Sequence, residues 1–126
     1  MLSNQNIMAF VATADAAKAR PFYEDILGLK VKSVDGHGVM FYANGGFLRM
    51  SIVRDFKPAP YSVLSWIVED IYLMIEELSE RGVKFETSLG MHQDAKGVWT
   101  TPDGTRVAWF KDVDGKMLGL TQFKGA

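Results

Sequence analysis

The chain has no cysteine among its 126 residues, which excludes disulfides, thiolate metal sites and cysteine nucleophiles. That absence suits a reducing compartment, and the cytoplasm is the expected location. An excess of charge of either sign is missing too. Fourteen basic residues stand against fifteen acidic ones, a formal net charge of −1, so no overall field gathers phosphate backbones or anionic lipid. Nucleic acid is not an expected partner. No apolar run approaches membrane-spanning length and the first residues, Met1 to Asn6, are largely polar, so neither a signal peptide nor a membrane partner is expected. Histidine is scarce, with only His37 and His92. There is no His-Glu-x-x-His, no Gly-x-Ser-x-Gly and no glycine-rich phosphate cradle, which sets those enzyme classes aside.

What is present is the balance of a soluble globular protein, 48% hydrophobic and 23% charged. A chain of this length suits one domain and buries roughly two-thirds of its unfolded surface. The stretch Ile7 to Thr13 reads as a buried strand. From Ala16 to Leu27 the apolar residues Ala19, Phe22, Tyr23 and Ile26 share one helical face, and Gly28 is a fitting terminator. Pro21 removes a backbone donor inside that helix and predicts a kink or a distinct first turn. Strands over Lys30–Val34, Val39–Ala43 and Phe47–Val53 follow, separated by hairpin signals at Asp35–Gly38 and Asn44–Gly46. The pattern is β-α-β-β-β.

After a proline-bearing linker, 55–60, the pattern starts again. A strand over Tyr61–Val68 precedes a helix from about Asp70 to Arg81, with Ile71, Met74, Ile75 and Leu78 in its stripe. Gly82 to Phe85 echoes Gly28 to Val31, and Glu69 echoes Asp15 at the same offset. A hairpin over Thr105–Lys111 and Lys116–Phe123 closes the second half. Two modules, about 6–54 and 61–124, are thus expected within a single domain. The second carries an excess connection, 86–104, containing His92, Asp94, a short apolar piece at Val98–Thr100 and a turn at Thr101–Gly104; long connections are often functional, and this one is a candidate lid.

The helix-end motif Phe22 to Leu29, Asp15 seven residues before it, and Lys111 to Leu118 with Asp112, Asp114 and Gly115 resemble the two signatures of the vicinal oxygen chelate superfamily, which contains glyoxalases, bleomycin-resistance proteins and extradiol dioxygenases. The resemblance spans nearly the whole chain. It implies an α+β fold in which two βαβββ modules form a curved, cup-shaped mixed sheet with helices on the outer face. It also implies a homodimer, which would protect the edge strands. Metal-dependent members hold a divalent ion with four inward side chains. The corresponding positions here are Met8, Arg49 or Ser51, Val63 and Gly119, which cannot supply converging imidazole or carboxylate donors. No cofactor is therefore expected.

The leading expectation is a protein that binds a small organic molecule, anionic or aromatic, without a metal, through Met8, Phe10, Arg49, Ser51, Val63, Trp99 and Gly119. Arg49, a charge within an apolar strand, could clamp a carboxylate bidentately, or else point to solvent or pair with a neighbouring acid. Strand alternation turns Trp66 towards the helices if Val63 faces the cup, leaving Trp99 as the aromatic best placed for a ligand. The alternative is a metal-assisted lyase or dioxygenase using non-standard ligands, with His92 and Asp94, and Glu86 in the same segment, as the weak donor set. A third reading makes the cup vestigial and Met8 and Val63 plain core.

Overall fold

The apolar run that opens the pattern forms β1 (Met8–Thr13), with Val11 and Thr13 buried and Met8 and Phe10 exposed, so alternate side chains take opposite faces. The structure, a computed structural model, describes residues 1–125. Asp15 caps α1 (Ala16–Pro21) by accepting the Lys18 N–H at 3.2 Å. The helix then changes type. Phe22–Ile26 forms a π turn in which the Leu27 N–H reaches back to the Phe22 carbonyl at 2.9 Å. Pro21, without an N–H, stands at that change of type. Gly28, at φ 77°, ends the element.

Three antiparallel strands follow: β2 (Val31–Asp35), β3 (Gly38–Ala43) and β4 (Gly46–Ile52). The sheet order is β1-β4-β3-β2, with β1 parallel to β4. Helix α1 packs against β3 and β4. Tyr23 on the helical segment and Phe41, Leu48 and Met50 on the sheet are all buried, with the Tyr23 and Phe41 rings stacked at 5.8 Å. Gly38, at φ 149°, is needed because a Cβ there would overlap the Met50 carbonyl oxygen.

The chain divides between Lys57 and Pro58 into two compact units, and the second repeats the first. It comprises β5 (Ser62–Ile67), α2 (Ile71–Glu80), β6 (Trp99–Thr100), β7 (Arg106–Lys111) and β8 (Met117–Gln122), in the order β5-β8-β7-β6. β5 runs parallel to β8. Asp70 caps α2 by accepting the Leu73 N–H at 3.1 Å, and the Gln122 side chain accepts the Ile71 N–H at 2.8 Å. Ile71, Ile75 and Leu78 are buried, as are Phe110, Leu118 and Leu120 on the sheet. Phe85 bridges Phe110 as Val31 pairs with Phe41 in the first unit. The chain then leaves the sheet and returns only at β6, so the excess connection interrupts the strand equivalent to β2.

Each unit is thus a mixed four-stranded sheet with a helical segment on one face. The other face of each sheet carries the candidate site residues.

Candidate functional site

In the first unit, register and alternation bring Met8, Phe10, Arg49 and Ser51 to the face opposite the helix. Met8 stands opposite Phe47, Phe10 opposite Arg49 and Ala12 opposite Ser51. β3 adds Met40 beside Arg49 and Tyr42 beside Phe47. Phe10, on the outer strand β1, is 62% exposed, an unusual position for a phenylalanine on a sheet face. The Tyr42 and Phe47 rings lie 5.7 Å apart, and the Lys32 ammonium stands 5.6 Å from the centre of the Phe47 ring. Lys32 reaches this face by alternation, because its neighbour Val31 pairs with buried Phe41 on the helix side.

Arg49 has its own partner. Its two terminal nitrogens donate to the two carboxylate oxygens of Asp35 at 3.2 and 3.0 Å, a bidentate pair across the sheet. That hydrogen bonding, aided by the His37 N–H donating at 2.7 Å, holds the Asp35 carboxyl below its usual range. The need for a ligand anion that a lone strand cation would have is therefore met within the protein. His37 itself lies in the exposed β2–β3 turn.

In the second unit the face opposite the helix carries Val63, Ser65 and Ile67 from β5, with Gly119 opposite Ser65 and Thr121 opposite Ile67. β7 adds Val107 and Trp109, the latter opposite Gly119. Trp66 lies instead in register with buried Leu120 on the helix side. Trp99 stacks on Trp109, with ring centres 6.3 Å apart and planes 25° from parallel. The Ser65 and Thr121 hydroxyls meet at 3.1 Å, next to the space above Gly119. A Cβ at Gly119 would come within 3.2 Å of the Ser65 oxygen, so the glycine keeps this part of the floor low.

The connection 86–104 is stitched to itself. Gln93 donates to the Glu86 and Gly97 carbonyls, both at 2.8 Å, and accepts the Leu89 N–H at 3.0 Å. Asp94 accepts the Val98 and Lys96 N–H groups at 3.0 and 2.9 Å and the Tyr72 hydroxyl at 2.6 Å, which ties the segment to α2. Burial opposes charge on Asp94, but the Tyr72 and backbone hydrogen bonds outweigh it and hold this carboxyl below its usual range. The same bond to Asp94 raises the Tyr72 hydroxyl. His92 is exposed beside them.

Met8, Arg49, Ser51, Val63 and Gly119 do not fit a divalent ion, since one is already ion-paired and the others lack imidazole or carboxylate. The weaker set fares no better, because both oxygens of Asp94 are engaged. Among the described residues no group of three or more His, Cys, Asp or Glu side chains is placed to hold a metal. Among the same residues, no helix is long and apolar enough to cross a membrane.

Two repeated β-α-β-β-β units, each a mixed four-stranded sheet with a helical segment on one face, define the class of fold. Residues 6–116 match the family model of the Glyoxalase/Bleomycin resistance protein/Dioxygenase superfamily, and the chain belongs to that superfamily. No curated protein matches it. Among solved structures it is similar to a member of the same superfamily from Sphaerobacter thermophilus DSM 20745, with 24% identity, 98% and 100% of the two chains covered and a TM-score of 0.73. It is also similar to TnmS3, an antibiotic binding protein from Streptomyces sp. CB03234, with 26% identity, 97% and 98% covered and a TM-score of 0.70. Lactoylglutathione lyase from Agrobacterium tumefaciens shares the fold at 15% identity, 94% and 93% covered and a TM-score of 0.72.

Sequence reasoning did not single out Lys32 or Phe47 for this role, and it placed Trp99 ahead of Tyr42 and Trp109 as the aromatic for a ligand. The alternation around buried Phe41, Leu48 and Phe110 carries the signal for the three aromatics. The same alternation carries it for Lys32, whose neighbour Val31 pairs with Phe41 on the helix side.

Proposed function

We propose that the chain binds a small, flat, largely apolar organic molecule on the open faces of its sheets, without a metal. The observation that carries this reading is the exchange of residue type. Where a metal enzyme of the fold needs donors, this chain has Met8, Val63 and Gly119, and around them stand Phe10, Tyr42 and Phe47 in one unit and Trp99 and Trp109 in the other. Aromatic rings of this kind offer large contact area at low entropic cost to a planar ligand. The likeness to an antibiotic binding protein supports the same reading, and an antibiotic or a comparable aromatic metabolite is the ligand class proposed. A homodimer in the cytoplasm is part of this proposal.

Tryptophan fluorescence tests it. Titration with planar aromatic antibiotics should quench emission saturably, and Trp99→Leu should weaken binding by about 1–3 kcal/mol, as expected for removing one well-packed aromatic contact. Quenching that never saturates would contradict the proposal. So would one equivalent of zinc, nickel, manganese or iron in protein purified without chelator.

A further inference from the structure

We propose that Lys32 selects ligands with an anionic group, and that the unit-one face takes planar aromatic anions rather than neutral polycycles. This inference rests on the binding role proposed above and names its substrate class. Two cations reach that face near the aromatic residues. Arg49 is spent: both terminal nitrogens are bonded to Asp35, and its side chain is only 14% exposed. Lys32 is exposed, and its ammonium stands 5.6 Å from the centre of Phe47, whose ring is 5.7 Å from Tyr42.

A flat molecule lying against Tyr42 and Phe47 would place a substituent within reach of that ammonium. A carboxylate, sulfonate or phenolate there gains a hydrogen-bonded charge pair, while a neutral ring only displaces water from the lysine. Alternation from Val31, which pairs with buried Phe41 on the helix side, turns Lys32 onto this face. Asp35 strengthens the discrimination indirectly. By neutralising Arg49 it leaves one uncompensated cation at a defined corner instead of a diffuse positive patch.

The test uses two fluorescent probes of the same ring system, anilinonaphthalene sulfonate and the uncharged N-phenylnaphthylamine, against the intact chain. Wild type should bind the sulfonate more tightly, and added salt should weaken the sulfonate alone. Lys32→Met, which keeps the apolar stem over Phe47, should weaken the sulfonate about three- to fivefold and leave the neutral probe unchanged, the scale of one partly exposed charge pair. Lys32→Arg should restore the preference. Equal effects on both probes, or a sulfonate preference that survives Lys32→Met, would overturn the role of Lys32 while leaving the binding face intact. Saturable binding of neither probe would overturn the binding role itself and this inference with it, as when a second copy of the chain covers the face.

Discussion

Lys116 carries its charge almost out of reach of water, at 2% side-chain exposure, between Asp112 at 2.7 Å and Asp114 at 3.1 Å. The Asp112 carboxylate also accepts the backbone N–H groups of Asp114 and Lys116, both at 2.9 Å. The aspartates that resemble a family signature are therefore a hairpin staple here, holding β8 in register beside Gly119. Truncating one member leaves a buried charge uncompensated, so Lys116→Met should destabilise the protein by about 3–5 kcal/mol in urea unfolding. The double variant with Asp112→Asn should recover part of that loss, and strict additivity of the two losses would contradict the pairing. Arg49 makes the complementary point. A charge within an apolar strand was visible from sequence, but its partner is set by the register of three strands and lies fourteen residues away in the chain.

At the scale of elements, the two βαβββ patterns were legible because alternation, helical stripes and glycine turns agree locally throughout. Strand and helix ends fall within a residue or two of the expected ones. The connection 86–104 was not legible, because its order comes from Gln93 and Asp94 bonding to backbone groups that no periodicity marks. It is a pinned segment rather than an unattached strap. The Tyr72–Asp94 bond that ties it to α2 has a definite pH window. Asp94 is lowered from its ordinary 3.8, so its contribution is present above about pH 4 and is lost as pH falls through the lowered value. Tyr72 is raised from its ordinary 10.0, so its contribution is present below about pH 10 and is lost as pH rises through the raised value. Tyr72→Phe should cost about 0.5–1 kcal/mol at neutral pH, the low end for a hydrogen bond because both groups face solvent. It should also abolish the tether's share of the alkaline loss. An unchanged pH profile of the urea midpoint would contradict the tether.

At the scale of the molecule, β1 and β2 are the outer strands of one sheet, and β5 and β6 of the other. Such outer strands favour association of two copies through their edges, which leaves the open faces to a ligand. Light scattering at micromolar concentration should return about twice the chain mass of 14.0 kDa, and a mass equal to one chain would contradict the dimer. Family membership fixes none of the chemistry, since one fold hosts lyases, oxygenases and binding proteins alike. The residues on the open faces decide it. The first unit offers a second place for a small molecule, a hollow of about 370 Å³ among Gln5, Asn6, Ile7, Asn44 and Phe47 at the end of the sheet. Amide chemical-shift mapping with anilinonaphthalene sulfonate, in the presence of a chelator, separates these sites directly. The metal-free account predicts saturable shifts at Phe10, Met40, Tyr42 and Arg49, or at Trp99, Trp109 and Gly119, undiminished by the chelator. Shifts confined to the Gln5–Ile7 and Asn44 hollow, or binding that vanishes on chelation, would contradict it.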